Sequence, residues 1–255
     1  MAPMTPKSEP AATFPVIRNI GLDGMLVTFS DMLGEPSNRA ALAFHAALER
    51  AGWDQIGETS TSLASAFVRF DPLHLSHADL RARLTELLHA RDWYRADLPP
   101  GRRLWRVPCV YGTDLAPQLA EAADAAGMSE AQAIDCLGAA RVRVLAIGFA
   151  PGQPYLGPLG PEWNLPRLKA LQQVPAGALV QAISQFVLFT APAPTGWRHV
   201  GQTGFRCFRP DQPVPIPLTP GDELVFEPVS RADLIRIQDR DETGAGGATS
   251  QGIDQ

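Results

Sequence analysis

The 255-residue chain contains 24 Pro and 22 Gly, so almost one residue in five interrupts regular structure, which argues against a long helical bundle. Hydrophobic residues make up 45% and charged residues 19%, a balance that excludes wholesale disorder and suffices for one large core or two smaller ones. With 22 basic and 27 acidic residues the net charge is -5. This charge argues against binding to nucleic-acid phosphates or to an acidic membrane surface.

The sequence contains no apolar run long enough to span a bilayer, and the proline-rich residues 1–12 are typical of a disordered tail rather than an export signal. Three cysteines, Cys109, Cys136 and Cys207, lie far apart and form no CxxC pair. This spacing favours a reducing compartment and argues against a disulfide framework or a zinc site. We therefore expect a cytoplasmic protein without a metal.

Residues 13–95 are predicted to form a small α/β domain. Short apolar runs over 14–20 and 25–29 predict two strands, and a helical face over 38–52 ends at Gly52. A strand over 63–70 and a helix capped by Ser76 follow. This order predicts a split βαβ layer of the ferredoxin-like kind.

The segment 96–104 combines prolines, a glycine and charges, which predicts a linker. After it, residues 105–237 predict a β-rich domain with a strand over 105–111, helices over 114–127 and 129–138, and the strongest strand of the chain over 141–149. Short apolar runs between turns from 148 to 228 indicate a barrel or sandwich. The polar, glycine-rich residues 238–255 predict a disordered tail. The fold class is therefore α+β.

The motifs of phosphate-binding loops, nucleophile elbows, zinc proteases and dinucleotide folds are missing from the sequence. The informative segment is GFAPGQPYLGPLG (148–160), which directly follows the strongest strand. Its glycines, prolines, Phe149 and Tyr155 predict a stiff exposed loop that lets a ligand approach the backbone beside an aromatic wall. A corner of the barrel needs a similar composition, so the loop alone leaves both interpretations open.

Five blocks in sequence resemble the allophanate hydrolase subunit 1 family, which includes the B subunit of the bacterial ATP-dependent 5-oxoprolinase and the KipI-type kinase inhibitors. The blocks are GFAPGQPYLGPLG, the pair Pro166-Arg167, VPAGALV (174–180), TGWRHVGQTGFRCF (195–208) and PGDELVFEPV (220–229). The resemblance covers roughly residues 24–230. It implies a small α/β domain followed by a cyclophilin-like β-barrel.

The resemblance also implies a role and partners. A member of this family would belong to an amidohydrolase complex that cleaves C–N amide bonds. It would pair with an allophanate hydrolase subunit 2 protein, or a protein like the C subunit of 5-oxoprolinase, and with a third, LamB/YcsF-type subunit. ATP would be used at the level of the complex, since no motif in this chain binds it. The alternative is a non-catalytic regulatory module of the KipI type, whose partner would be a histidine kinase.

The resemblance assigns site residues by position in the matched blocks. Arg167 would hold an anionic group, and His199 is the best titratable candidate for catalysis. The substrate would contact Gly148, Phe149, Pro151, Gly152, Gln153 and Tyr155, with backbone donors of 148–152 stabilising negative charge. The chain departs from the family at Gln153, usually Phe, at Gln202, usually Arg, and at Cys136, usually His, which places catalysis in question.

Overall fold

The computed structural model of the chain describes residues 13–253, and the chain divides into two units, Met1–Asp97 and Leu98–Gln255. The tail predicted over residues 1–12 lies outside the described residues. The division falls inside the segment 96–104, which the sequence predicts to be a linker. Each unit has its own hydrophobic core.

The N-terminal unit is a four-stranded antiparallel sheet with two helices. Its elements in chain order are β1 (Val16–Ile20), β2 (Gly24–Thr28), α1 (Glu35–Ala51), β3 (Ile56–Ser62), β4 (Ser65–Phe70) and α2 (His77–His89). The strand order is β1-β2-β4-β3, so β2 and β3 both pair antiparallel with β4 between them. The β2-α1-β3 connection is therefore a split βαβ unit. The identification of the whole layer as ferredoxin-like stays a prediction.

The first helix is confirmed but begins three residues earlier than the predicted start at 38. Its apolar face buries Phe44 and Leu48 completely or nearly so, as the helical spacing requires. Pro36 lies in the first turn, where its missing N–H costs no hydrogen bond. The helix ends at Gly52, whose φ of 56° is the left-handed conformation expected of a C-terminal glycine.

The sequence interpretation missed strand β3. Its residues, IGETSTS, are polar and carry no regular alternation of apolar side chains. The strand lies at the edge of the sheet and pairs only with β4, so most of its side chains are exposed and need not be apolar. The predicted strand over 63–70 corresponds to β4 and the turn before it.

The C-terminal unit is built mainly from short strands. Its elements in chain order are β5 (Arg103–Tyr111), α3 (Leu119–Ala125), α4 (Glu130–Ala139), β6 (Val142–Ile147), β7 (Pro154–Gly157), β8 (Gln172–Val174), β9 (Ala178–Ala182), β10 (Gln185–Leu188), β11 (Ala193–Thr195), β12 (Arg198–Thr203), β13 (Glu223–Pro228), α5 (Arg231–Arg240) and β14 (Thr249–Gly252). Within residues 13–253, no helix has the length and apolar character needed to cross a bilayer.

Seven of these strands form a closed barrel. The order β12-β9-β10-β7-β6-β13-β5 closes because β12 also pairs with β5. The pairing of β13 with β5 is parallel, and the other barrel pairings are antiparallel. The α+β class and the turn-rich barrel predicted from the sequence are therefore confirmed.

Alternate residues of the barrel strands point into two different apolar clusters. Leu156, Leu179 and Phe186 lie in the interior core together with residues of α3 and α4. Val180 and Val187, their neighbours along the strands, belong to a second cluster with Trp197. Because successive strand residues point to opposite faces, this second cluster marks the outer face of the sheet.

The helices between β5 and β6 differ from their predicted bounds at one end. Ser129 caps α4 and forms the predicted reciprocal pair of hydrogen bonds with Gln132. The helix predicted from 114 begins only at Leu119. Asp114 instead pairs with Arg231 of α5, and Thr113 adopts a φ of 60°, so turns precede the helix.

The prediction of a disordered tail over 238–255 is wrong for the described part of that segment. Helix α5 continues to Arg240, and β14 pairs antiparallel with the first half of β5. Asp241 orders the connection, since its carboxylate accepts hydrogen bonds from the N–H groups of Thr243 and Gly246. The composition is polar because all four residues of β14 are exposed, and the strand is held by backbone hydrogen bonds.

A buried carboxylate secures the beginning of β5. Asp222 is fully buried and accepts four hydrogen bonds, from the backbone and guanidinium of Arg103, the indole N–H of Trp105 and the backbone of Thr219, at 2.7–3.1 Å. These bonds join the turn before β13 to the strand beside it. A buried charge with this many donors stabilises the fold only while its partners remain.

Replacement of Asp222 by alanine leaves the Arg103 guanidinium and the Trp105 indole without their shared acceptor. We expect the free energy of unfolding to fall by about 3 kcal/mol, measured by urea denaturation. Glu227→Ala is the control, because Glu227 forms an exposed pair with Arg106 on neighbouring strands and its loss costs about 0.5 kcal/mol or less. Equal losses in the two variants would contradict the role assigned to Asp222.

Two glycines with positive φ test whether the C-terminal segment is ordered. A Cβ on Gly246 (φ 56°) would overlap the backbone of Gly204, whereas a Cβ on Gly127 (φ 71°) meets nothing within 4 Å. We expect Gly127→Ala to cost about 1 kcal/mol from backbone strain, and Gly246→Ala to cost about 2 kcal/mol or more and to speed amide exchange in β14. If Gly246→Ala changed neither the free energy of unfolding nor amide exchange in β14, this segment would not pack as described.

Candidate functional site

The segment 148–160 is only partly the exposed loop that the sequence predicts. Residues 154–157 form strand β7, which pairs with β6 and β10, while 148–153 form the turn before it. The prolines and glycines at both ends of β7 hid the strand, because these residues are normally depleted in strands. Phe149, at the outer end of the turn, is 81% exposed and has a φ of 73°.

Gly152 allows this turn to pack against the chain. Its φ is 72°, and a Cβ at this position would overlap the carbonyl oxygen of Cys207. The turn is closed by two backbone hydrogen bonds, from Gly148 to Gln153 and from Gln153 to Ala150. The Gly148 N–H is therefore occupied and is not one of the backbone donors expected to stabilise negative charge. Pro151 is exposed on the same turn.

The turn forms one wall of a cavity of about 360 Å³, which we name the Arg167 cavity. It lies over Val187 of the outer sheet face, beside strand β7 and the chain before β12. The side chains that shape it are Phe149, Gln153, Tyr155, Arg167, Phe189 and Trp197. Four of the predicted site residues, Phe149, Gln153, Tyr155 and Arg167, thus meet in one place, whereas Gly148 and Pro151 do not line it.

Arg167 supplies the positive charge of this cavity. Its guanidinium lies 5.3 Å from the centre of the Trp197 ring, a cation–π distance. Among residues 13–253 no acidic side chain forms an ion pair with Arg167, so its five N–H donors are available to an anion. The adjacent Leu168 N–H donates to the carbonyl of Gly196 at 2.6 Å, which holds this segment against the loop before Trp197.

Gln153 supplies an amide at the base of the cavity. The side chain is only 2% exposed, and its Oε1 accepts a hydrogen bond from the N–H of Thr190 at 3.4 Å. Its Nε2 has no hydrogen-bond partner among the described residues. Of the residues described as lining the cavity, none is Asp, Glu, His, Cys or Lys. The arrangement suits binding of a small anion with an apolar part, and any proton transfer by a carboxylate, imidazole or thiol needs a group from outside the described lining.

The structure places His199 in a different cavity. Tyr155 pairs with Val187, Val187 with Val180, and Val180 with His199. Tyr155 and His199 therefore lie three strands apart on one sheet face. At the usual strand spacing this separation is about 14 Å. His199 instead lines a cavity of about 490 Å³, the His199 cavity, whose walls include Asp114, Gln173, His199, Gln202, Arg231 and Leu234.

Burial determines the character of His199. The side chain is 4% exposed, and loss of contact with water lowers its pKa below the usual value of 6.5, opposed by the Gly201 carbonyl and the Gln202 side chain. The imidazole is therefore neutral near pH 7. His199 does not line the Arg167 cavity, and a catalytic role for it stays a prediction.

Cys136 lies in neither cavity. Its sulfur accepts a hydrogen bond from the Trp163 indole at 3.3 Å and lies 3.7 Å from a carboxylate oxygen of Glu162. The thiol is half-buried on α4 and so has polar partners as well as packing contacts. Among residues 13–253, no group of three or more His, Cys, Asp or Glu side chains is placed to hold a metal ion.

Sequence reasoning missed Trp197 as a site residue. It lies within a block that carries the family resemblance, yet nothing in its local pattern shows that its ring supports Arg167, 30 positions earlier. It also missed the second cavity, because one wall is α5, a helix that the sequence analysis did not predict.

The family model for the carboxyltransferase domain, subdomain C and D, matches residues 15–218. The chain is 27% identical over 232 residues to the 5-oxoprolinase B subunit of Bacillus subtilis, which covers 85% of this chain and 94% of that protein. It is 35% identical over 140 residues to the 5-oxoprolinase B subunit of Escherichia coli O157:H7, or 54% of this chain and 64% of that one.

Solved structures share the fold. The crystal structure of TTHA0988 has 28% sequence identity and a TM-score of 0.68, and the match covers 84% of this chain and 40% of that chain. The urea carboxylase of Kluyveromyces lactis has 19% identity and a TM-score of 0.71 over 93% of this chain and 24% of its own, a likeness of fold alone. This chain thus spans less than half the length of either structure.

The family match covers most of both units, and the sequence blocks that carry the resemblance lie in the barrel and around the Arg167 cavity. The resemblance inferred from those blocks is confirmed: the chain belongs to the family of the carboxyltransferase domain, subdomains C and D.

Proposed function

We propose that this chain is a subunit of an ATP-dependent 5-oxoprolinase or allophanate-hydrolase-like complex and binds the carboxylate-bearing substrate in the Arg167 cavity. The observation that carries the proposal is the unpaired Arg167 guanidinium, which lies against Trp197 in a cavity with an aromatic wall and a buried amide. The similarity to B subunits of 5-oxoprolinase supports it.

Different residues of the cavity contact different parts of a lactam or amide that also carries a carboxylate. Arg167 pairs with the carboxylate in the two-pronged geometry that a guanidinium favours. The Nε2 of Gln153 donates a hydrogen bond to the carbonyl oxygen, and Phe149 and Tyr155 exclude water from the bound molecule. These contacts orient the amide bond and polarise its carbonyl, which assists attack on it.

The general acid or base and the use of ATP belong, in this proposal, to partner subunits, because the described lining of the cavity contains no carboxylate, imidazole or thiol. The partners would be a subunit 2 protein, or a protein like the C subunit of 5-oxoprolinase, and a third, LamB/YcsF-type subunit. The exposed side chains of Phe149 and Leu171 at the cavity rim offer apolar contacts for such a partner. We further propose a cyclophilin-like type for the barrel.

The second candidate function is a non-catalytic module of the KipI type that binds a histidine kinase. The same lack of a carboxylate, imidazole or thiol in the described lining favours it, since a binding site needs no proton transfer. Co-purification separates the two functions: a stable complex with the subunit 2 protein supports the enzyme, whereas capture of a kinase without any subunit 2 protein supports the regulator.

Arg167→Ala tests the role of the cavity in the reconstituted complex. We expect ATP-dependent 5-oxoproline hydrolysis to lose about 100-fold in kcat/KM, mainly through KM, because a charge-assisted interaction with the substrate is removed. Arg167→Lys should recover part of the loss. The matched control is Lys169→Ala, which removes an exposed cation two residues away that does not line the cavity. Equal rates for Arg167→Ala and Lys169→Ala would refute the assignment.

A further inference from the structure

The His199 cavity contains two buried polar atoms with unmet hydrogen-bonding capacity. Nε2 of His199 and Oε1 of Gln202 form no hydrogen bond of normal distance and angle with any residue of 13–253, although the Gln202 side chain lies close enough to the ring to raise its pKa, and both residues line the cavity. His199 is 4% exposed, so bulk water does not compensate for the missing bond. Buried polar atoms in native proteins are almost always paired, and the exceptions commonly mark a function or a bound molecule.

The hydrogen-bonding roles of the two atoms follow from their surroundings. The amide nitrogen of Gln202 donates to the carbonyls of Ala176, at 2.9 Å, and Thr203, at 3.2 Å. Both amide hydrogens are thus used, and the remaining atom is an oxygen that can only accept. Burial keeps the His199 ring neutral, so its Nε2 either donates or accepts according to the tautomer.

Both groups are held in place before any ligand arrives. The N–H of His199 donates to Oε1 of Gln118 at 2.8 Å, and the N–H of Gln118 donates to the carbonyl of His199 at 3.1 Å. Strand β12 is also paired with β9 at this point. A preorganised pair of polar atoms binds a ligand without the cost of ordering side chains.

The rest of the described lining is apolar, apart from the uncharged amides of Gln173 and Gln238 and one ion pair. Leu115, Leu234 and Ile235 line the cavity, and Asp114 pairs with Arg231 at 2.7 Å, with both side chains more than half exposed. A charged ligand would therefore find no free countercharge beside His199 and Gln202. The volume of about 490 Å³ is within the range of small-molecule sites.

We infer that the His199 cavity is a second ligand site, for a small uncharged molecule with a primary carboxamide group and a short apolar chain. The amide NH₂ donates to Oε1 of Gln202. The amide then either accepts a hydrogen bond from Nε2 of His199 through its carbonyl or donates its second hydrogen to that atom. A carboxylate cannot donate to Gln202, and an ammonium group would be buried without a counterion. This site involves neither Arg167 nor its cavity.

The test is a titration of the full chain with isobutyramide, followed by NMR of 13C-labelled histidine rings and of backbone amides. We expect a saturable shift of the His199 ring and α5 signals with an affinity on the order of millimolar. Two probes of similar shape serve as controls: N,N-dimethylisobutyramide, which lacks the donors, and isobutyrate, which is charged. Both should bind at least about tenfold more weakly.

Three variants complete the test, with α5 amide signals as the reporter. His199→Leu and Gln202→Leu should each weaken isobutyramide binding about tenfold while the amide spectrum remains that of the folded chain. Arg167→Ala should bind isobutyramide as the unmodified chain does, which separates this site from the proposed substrate cavity. Absence of a saturable shift, equal shifts with all three probes, or unchanged binding in both leucine variants would overturn the inference.

Discussion

Closure of the barrel through β5 is the constraint on which the rest of the C-terminal unit depends. One edge of this strand pairs in parallel with β13, and the other edge is shared between β14 and β12. Because β12 returns to β5, the edges of these two strands that would end an open sheet are paired instead. The buried Asp222 reinforces the arrangement, since it ties the backbone and side chain of Arg103 to the turn before β13.

The closed sheet has an interior and an outer face, and the different packing on the two faces explains where the cavities lie. The interior face packs against helices α3 and α4 and is filled with apolar side chains. The outer face of β7, β9, β10 and β12 carries a second apolar cluster. Both cavities open on this outer side, and Tyr155 beside one and His199 beside the other lie three strands apart, about 14 Å, along one row of strand positions. The two cavities have no described lining residue in common.

Around the Arg167 cavity, glycines allow close backbone contacts, and different residues supply the groups that can bind a ligand. Gly152 and Gly196 are needed because the chain passes close to Cys207 and Leu168 at these points, where a side chain does not fit. The polar groups beside them form a binding surface with one cation, one amide and the hydroxyls of Tyr155 and Thr195, but no carboxylate, imidazole or thiol among the described lining residues. A subunit that binds and orients, with proton transfer and ATP use supplied by its partners, is the role that this composition supports best.

Much of the fold was accessible from the sequence, because local patterns report local structure. The apolar spacing of α1, the capping pair Ser129 and Gln132 and the alternation of β6 identified these elements, and ordered motif blocks identified the family. The polar edge strand β3, the short β7 and the exposed β14 could not be found this way. The first and last carry polar, exposed residues, β7 begins and ends with Pro and Gly, and all three are held by backbone pairing rather than by an apolar pattern. The sequence also named Arg167 and His199 together and could not show that they line different cavities. Which cavity a strand residue lines depends on strand register, which only the closed sheet decides.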